Sequence, residues 1–180
     1  MRRVLVVYAS RHGATAGIAE RIGEVLRAED IDVVVAKASD MPDPEGFDAY
    51  VIGSAAYIGK WEKAATSFVE RHKEVLATKP VWLFSSGPVG TDRVDKKGNS
   101  LLGDPKTVAE LTPILRTRGT QVFFGAWDPN DPAASFSERL IARLPAVKDL
   151  LPAGDFREWP VIDAWAHDIA EEVTGKVPVG

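Results

Sequence analysis

Short runs of consecutive apolar residues alternate along this chain with longer segments in which apolar side chains recur every third or fourth position. The short runs are typical of strands buried on both faces, and the longer segments are typical of helices that bury one face. The pattern predicts five strands, at 4–9, 33–36, 50–54, 81–85 and 121–127. Many of these positions hold β-branched or aromatic side chains, which favour strands.

Four segments show regular helical spacing, and a fifth, less regular amphipathic piece carries Phe136, Leu140, Ile141 and Leu144 and is stopped by Pro145. The first is defined by Ile18, Ile22, Val25 and Leu26. The second is defined by Ala65, Phe68, Val69, His72, Val75 and Leu76. The last begins at Pro160 and is defined by Ile162, Trp165, Ile169 and Val173. The remaining segment carries Val108, Leu111 and Leu115. It is expected to start at Asp104 as N-cap with Pro105 as its first residue. Pro113 should kink or divide this helix, and Gly119 should close it.

The alternation predicts an α/β fold with a three-layer, doubly wound, five-stranded parallel sheet and helices on both faces. The strand order 2-1-3-4-5 is one of the two common arrangements of such a sheet. The 180 residues contain no repeat and no linker-like tract, so we expect one domain over 1–175 and a tail, 176–180. In this order the ligand is expected at the carboxyl ends of the first and third strands, where the strand order reverses.

Composition removes several classes of function. A formal net charge of −4 does not suggest nucleic acid as a partner. The chain has no cysteine, which excludes disulfides, thiolate metal sites and cysteine nucleophiles. The apolar run near the N-terminus is too short for a secretory signal, and no segment approaches the roughly 20 apolar residues of a membrane span. We therefore expect a cytoplasmic protein with no transmembrane segment.

The first loop at the expected ligand edge is Ser10-Arg11-His12-Gly13-Ala14-Thr15. Backbone N–H groups in such a tight turn, together with the start of a helix, suit a dianionic phosphate. The alternative is a purely structural turn in which Thr15 caps the following helix. The loop matches neither G-x-G-x-x-G nor the Walker pattern, which argues against an NAD-type site and against an NTPase.

Two further loops follow the third and fourth strands. The second runs over 53–61 and includes Tyr57 and Trp61, and the third runs over 85–90 and contains two glycines. A charged loop with Arg93, Lys96 and Lys97 follows and is expected to be mobile. Its cations are either a solvated surface or a rim that attracts an anionic substrate.

At these loops the sequence resembles the flavodoxin superfamily, whose first loop reads Ser/Thr-x-Thr-Gly-x-Ser/Thr and surrounds the FMN phosphate. Ser10, Gly13 and Thr15 match this pattern, whereas His12 replaces a threonine. Either the His12 side chain faces the phosphate, or it turns out to solvent and only its amide does. The resemblance implies FMN as cofactor, with Tyr57 stacked on the flavin ring and the third loop on its pyrimidine side.

The cofactor-binding residues implied in this way are Ser10, Arg11, His12, Gly13, Ala14, Thr15, Ala55, Ala56, Tyr57, Ile58, Gly59, Ser86, Gly87, Pro88, Val89 and Gly90. Trp61 is interpreted as a structural residue that fixes the following helix, and the alternative for Tyr57 is that it shares this structural role. No acid/base constellation and no metal-ligand spacing is present in the sequence, so neither catalytic nor metal-binding residues are assigned. His72 is expected to be packed against its helix's neighbours, and His167 to lie on the exposed side of the last helix.

Within the superfamily, the stretches 8–15 and 53–61 resemble the branch that includes menaquinone-dependent protoporphyrinogen oxidase. The turn 87–90 departs from that branch. The resemblance implies an FMN-dependent oxidoreductase that passes electrons between a small substrate, such as a protoporphyrinogen-like compound, and a quinone or similar acceptor. A flavodoxin-type one-electron carrier that serves a redox partner protein is the alternative, and a module that has lost the flavin is a third class.

Overall fold

The computed structural model of the chain describes residues 1–131 and 152–176. Its strands are β1 (Arg3–Ala9), β2 (Asp32–Lys37), β3 (Ala49–Tyr57), β4 (Lys60–Trp61), β5 (Val81–Ser86), β6 (Gly119–Phe123), β7 (Ala126–Trp127) and β8 (Gly154–Asp155). Its helices are α1 (Ala14–Ala28), α2 (Lys63–Leu76), α3 (Lys106–Leu115) and α4 (Trp159–Thr174), with a short 3₁₀ helix at Ala38–Asp40. An amphipathic piece predicted around Phe136, Leu140, Ile141 and Leu144, ending at Pro145, lies outside the described residues.

The main sheet has the predicted topology. Its parallel strands are ordered β2-β1-β3-β5-β6, which is the order 2-1-3-4-5 when only the five parallel strands are counted. The short β4 pairs antiparallel with the end of β3. Helices α1 and α4 pack on one face of the sheet, and α2 and α3 pack on the other, which gives the three layers. The predicted fold class is therefore confirmed.

The interior strand β1, which lies between β2 and β3, shows why the continuous apolar run forms a strand. Val4 and Val6 face the helices α1 and α4, whereas Leu5 and Val7 face α2 and α3. All four side chains are fully buried. A strand that alternates between two covered faces needs apolar side chains at every position, and this requirement produces the run in the sequence.

Gly53 lies in the middle of the sheet, directly opposite Phe84 on the neighbouring strand β5. The Phe84 ring occupies the space beside the Gly53 α-carbon, so that a β-carbon on residue 53 would overlap the ring. Phe84 is itself fully buried and contacts Phe123 and Trp165 at ring-centroid distances of 6.1 Å. Gly53 is thus required by the close approach of a large core side chain.

The predicted second loop is a hairpin, which corrects the sequence-based boundary of the third strand. β3 continues past Ser54 to Tyr57, and the chain then returns as β4 through a two-residue turn. Ile58 and Gly59 have positive φ angles of 50° and 71°, the combination found in type I′ turns. A β-branched residue such as Ile58 is unfavourable in this conformation, so no turn residue typical of a hairpin marks this position in the sequence.

Three further boundaries differ from the prediction. α3 begins at Lys106 with Pro105 at the N-cap position, and the Asp104 carboxylate accepts a hydrogen bond from the Thr120 hydroxyl at 2.8 Å instead of capping the helix. The helix contains Pro113 without being divided and ends two residues later, where Arg116 adopts a left-handed conformation. The predicted fifth strand stops at Phe123, and the next two strand residues, β7, pair with β8.

His72 is half-buried on α2, with its ring 4.9 Å from that of Phe68. Its Nε2 atom is buried and has no hydrogen-bond partner within 1–131 and 152–176. Burial lowers the pKa of His72 below its ordinary value, and the positive charge of Arg71 lowers it further. These contacts agree with the expectation of a packed residue, whereas His167 is exposed, as expected, near Glu29.

We expect the free energy of unfolding to fall as pH decreases through about 6.5, because the unfolded chain then binds a proton that His72 resists in the folded state. Replacement of His72 by Leu should remove this component of the pH dependence, whereas His167→Leu should leave it in place. Urea unfolding between pH 5.5 and 8 measures the effect. Parallel pH profiles for the wild type and His72→Leu would contradict the account.

Candidate functional site

The first loop forms a tight turn at the carboxyl edge of the sheet, between β1 and α1. The Ser10 hydroxyl oxygen accepts a hydrogen bond from the Gly13 N–H at 3.0 Å. Gly13 is the N-cap of α1 and has a φ of 83°, which favours glycine. No atom lies within 4 Å of the position that a Gly13 β-carbon would take, so the glycine is needed for its backbone conformation and not for lack of space.

Thr15 does not cap α1, so the capping role that the structural alternative gave to this residue is wrong. No side chain caps the helix. The Thr15 side chain is only 1% exposed, and its hydroxyl lies 2.7 Å from that of Ser86 at the end of β5. The first and third loops are therefore joined by a buried hydrogen bond.

His12 does not turn out to solvent, and this alternative for its side chain is wrong. Its side chain is 17% exposed and lies edge-on against Trp127, with ring centroids 5.2 Å apart. The carboxylate of Asp131 is 3.3 Å from His12 Nδ1. The side chain thus connects the first loop to the segment that follows β7.

The hairpin brings the predicted ring-stacking residue to the same edge of the sheet. Ala55 and Ala56 are half-buried, whereas Tyr57 and Ile58 are 69% and 84% exposed. Trp61, in contrast, is buried and donates its indole N–H to the Ser85 hydroxyl at 2.8 Å. The hairpin therefore has a fixed base and an exposed aromatic tip.

The third loop lies against the hairpin. Gly87 approaches it so closely that a β-carbon would be 2.7 Å from the Ala56 carbonyl oxygen. The Pro88 carbonyl accepts a hydrogen bond from the Gly125 N–H at 2.8 Å, which ties the loop to the segment after β6. Val89 is half-buried, and Gly90 has a φ of 105°. All three loops predicted to hold a ligand therefore meet at one edge.

The charged segment after the third loop forms hydrogen bonds within itself. Asp95 accepts hydrogen bonds from the backbone N–H groups of Lys97 and Asn99 and from the Asn99 amide. These bonds hold the pKa of Asp95 below its ordinary value. Val94 and Ser100 pair across the segment as an antiparallel bridge.

The three cations of this segment have different surroundings. Arg93 donates two hydrogen bonds to the Glu158 carboxylate, at 2.7 and 3.0 Å, and its guanidinium lies 5.7 Å from the Phe124 ring centroid. Lys96 and Lys97 are exposed, and neither forms an ion pair within the described ranges. Only the two lysines therefore remain available to a charged ligand.

Two cations near the first loop were not found from the sequence. Arg157 donates a hydrogen bond to the Ala14 carbonyl at 3.3 Å and is paired with Asp155, whose pKa it lowers. Lys37, with Ser10, Gly13 and Glu62, lines a cavity of about 410 Å³ beside the first loop. The signal for Lys37 was its place at the end of the second strand, which the sheet order puts next to the first. Arg157 follows an irregular stretch and gave no such signal.

Two negative observations apply to residues 1–131 and 152–176. In this part of the chain, no group of three or more histidine, aspartate or glutamate side chains could hold a metal ion. No helix there is both long enough and apolar enough to cross a membrane.

Comparison with known proteins gives a family and a fold. The family model of the flavodoxin domain matches residues 5–139. Oxidised flavodoxin 2 from Bacillus cereus is 21% identical, with a TM-score of 0.62 over 94% of this chain and 99% of that chain. An archaeal flavodoxin is 19% identical, with a TM-score of 0.57 over 96% of this chain and 99% of that one. The flavodiiron protein from Giardia intestinalis is 13% identical, with a TM-score of 0.56, and this chain covers 36% of its length.

Proposed function

Because the chain belongs to the flavodoxin domain family, we propose that it binds one FMN at the carboxyl edge of its sheet and transfers electrons through it. The main observation in support of this proposal is that the loops after β1, β3 and β5 lie together at that edge. A bound flavin would supply the redox chemistry. The chain would position the flavin, exclude water from it and set its electrostatic surroundings.

The residues at this edge fit a flavin mononucleotide. The turn at Gly13 and the first backbone N–H groups of α1 provide a site for one phosphate, with open space beside the glycine. Tyr57 presents an exposed aromatic ring at the hairpin tip, where offset stacking would contribute about 0.5–1.5 kcal/mol beyond area burial. Backbone amides of the third loop are suited to the polar edge of the ring.

For the electron route, we propose an FMN-dependent oxidoreductase that couples a small substrate to a quinone or similar acceptor. The resemblance of 8–15 and 53–61 to the quinone-dependent oxidases supports this route, and so do the exposed Lys96 and Lys97, which form no ion pair within the described ranges. The small substrate that we propose is a protoporphyrinogen-like compound. Exposed cations of this kind raise the local concentration and the association rate of an anionic substrate.

A one-electron carrier is the second candidate. The exposed apolar tip formed by Tyr57 and Ile58 favours it, because a redox partner protein needs an accessible edge next to the flavin. The pairing of Arg93 with Glu158 also favours it, since this pairing removes one of three expected substrate-binding cations. Carriers, however, tend to be strongly acidic around the flavin, which the rim lysines do not suit.

Replacement of Lys96 and Lys97 by Ser separates the two candidates. In the oxidoreductase, we expect KM for an anionic, porphyrin-like or quinone substrate to rise and the flavin content to stay unchanged. High salt should act in the same direction, because the screening length at 0.15 M is only about 8 Å. The control variant replaces Lys73 and Lys79, which lie toward the opposite edge of the sheet.

Steady-state assays at low and high salt, after anaerobic reduction with candidate donors, provide the measurement. Equal KM values for the Lys96/Lys97 variant, the control variant and the wild type at both salt levels would show that the two lysines do not attract the substrate. Absence of turnover of every candidate substrate by the flavin-loaded wild type would argue for the carrier. A purified protein without flavin absorbance that also fails to take up added FMN would reject both candidates.

A further inference from the structure

Two consecutive serines at the end of β5 connect the three loops of the site. Ser85 and Ser86 are both buried, and because successive strand residues point to opposite faces, they reach different neighbours. Ser85 accepts the indole N–H of Trp61 at the base of the hairpin, at 2.8 Å. Ser86 lies 2.7 Å from the Thr15 hydroxyl at the start of α1.

The Thr15–Ser86 hydrogen bond can run in either direction in the free protein. Each hydroxyl has one proton to donate and two lone pairs that accept. Both side chains are nearly inaccessible to water, at 1% and 2% exposed, so each hydroxyl depends on protein partners or on a ligand. The pair therefore has two states: in one the Thr15 hydroxyl donates to the Ser86 oxygen, and in the other the Ser86 hydroxyl donates to the Thr15 oxygen.

A bound phosphate dianion would remove this freedom. Its oxygens only accept hydrogen bonds, so a Thr15 hydroxyl that contacts it must donate its single proton to the phosphate. The Thr15 oxygen can then interact with Ser86 only as an acceptor, and Ser86 must be the donor. Aligned hydroxyls in such a chain polarise and strengthen one another in a buried environment.

We propose that Ser86 is a positioning residue for the flavin phosphate, although it belongs to the third loop. By donating to the Thr15 oxygen, it holds the Thr15 side chain in place and directs its proton toward the phosphate. This inference rests on the proposed function, since it requires FMN at the first loop. Ser86 would then contribute to the preference of the site for FMN over riboflavin without contacting the phosphate.

The test compares the dissociation constants of FMN and riboflavin in Ser86→Ala and in Ser85→Ala. For Ser86→Ala we expect FMN affinity to fall roughly threefold to tenfold, with riboflavin affinity unchanged within about twofold. Ser85→Ala is the matched control, because it removes an equally buried hydroxyl that faces Trp61. Any loss of affinity in this control should be the same for both flavins.

A second pair of variants examines the route through Thr15. In a Thr15→Val background, which replaces the hydroxyl by a methyl group of similar size, Ser86→Ala should cause no further change in the ratio of the two affinities. Thr15→Ser retains the hydroxyl and should keep most of the preference for FMN. Thermal unfolding of each variant shows that it is folded.

The possible outcomes are distinguishable. An unchanged affinity ratio in Ser86→Ala, or a loss that is equal for FMN and riboflavin, would overturn the positioning role. A loss of preference in Ser86→Ala that persists in the Thr15→Val background would also overturn it. A wild-type protein that binds neither flavin, or binds both equally, would instead refute the proposed function.

Discussion

Gly53→Ala is expected to destabilise the protein by about 1–3 kcal/mol or more, through overpacking in the middle of the sheet. The new methyl group would overlap the Phe84 ring, which is enclosed by other core aromatics and cannot move freely. Gly53 is also in β3, between two fully paired strands, so the backbone cannot shift without breaking hydrogen bonds on both sides.

Chemical or thermal unfolding of purified variants measures this effect. Gly103→Ala is the control, because its β-carbon would meet only the Ser100 carbonyl oxygen, at 3.6 Å. The double variant Gly53→Ala/Phe84→Leu should be more stable than the two single changes predict by addition, since the smaller side chain makes room for the methyl group. Equal stability of Gly53→Ala and Gly103→Ala would contradict the described packing.

Gly13→Val is expected to weaken FMN binding about tenfold or more. A left-handed conformation costs an ordinary residue roughly 1–2 kcal/mol, and it is especially unfavourable for a β-branched one. A change of 1.4 kcal/mol in binding free energy corresponds to about a tenfold change in affinity. A first loop that rearranges to avoid the conformational cost would no longer form the proposed phosphate turn.

Gly13→Asn is the matched control for this variant. Asparagine tolerates the left-handed region, and the space beside Gly13 is open, so we expect the larger polar side chain to retain most of the FMN affinity. Fluorescence titration with FMN gives both values. If valine and asparagine at position 13 bind FMN equally well, the backbone conformation at Gly13 does not matter for the cofactor.

The sequence was sufficient to predict the layers and the strand order, because both depend on repeated local patterns. The run 4–9 predicts a strand that needs cover on both faces, and the observed β1 has it. The hairpin at Ile58 could not be predicted, since its turn residue contradicts local preference. Asp104 failed as a cap because a tertiary partner, Thr120, holds its carboxylate.

The candidate site shows the same division between local and tertiary information. Strand order alone placed the three loops at one edge, and this placement needs no side-chain detail. The Thr15–Ser86 and Arg93–Glu158 contacts join residues 71 and 65 positions apart, so no spacing in the sequence announces them. The orientation of His12 depends on Trp127, at the end of the predicted fifth strand, and on Asp131 beyond it, and no spacing in the sequence connects either residue to the first loop.

The central claim is that the carboxyl edge of this sheet holds one FMN through its phosphate. The most direct test is a fluorescence titration of flavin-free protein with FMN, riboflavin and FAD under identical conditions. We expect one FMN per chain and a clear preference for FMN over both others, because the first loop offers one proposed monophosphate site and lacks the G-x-G-x-x-G pattern. Equal affinities for FMN and riboflavin, or no binding of FMN, would contradict this claim.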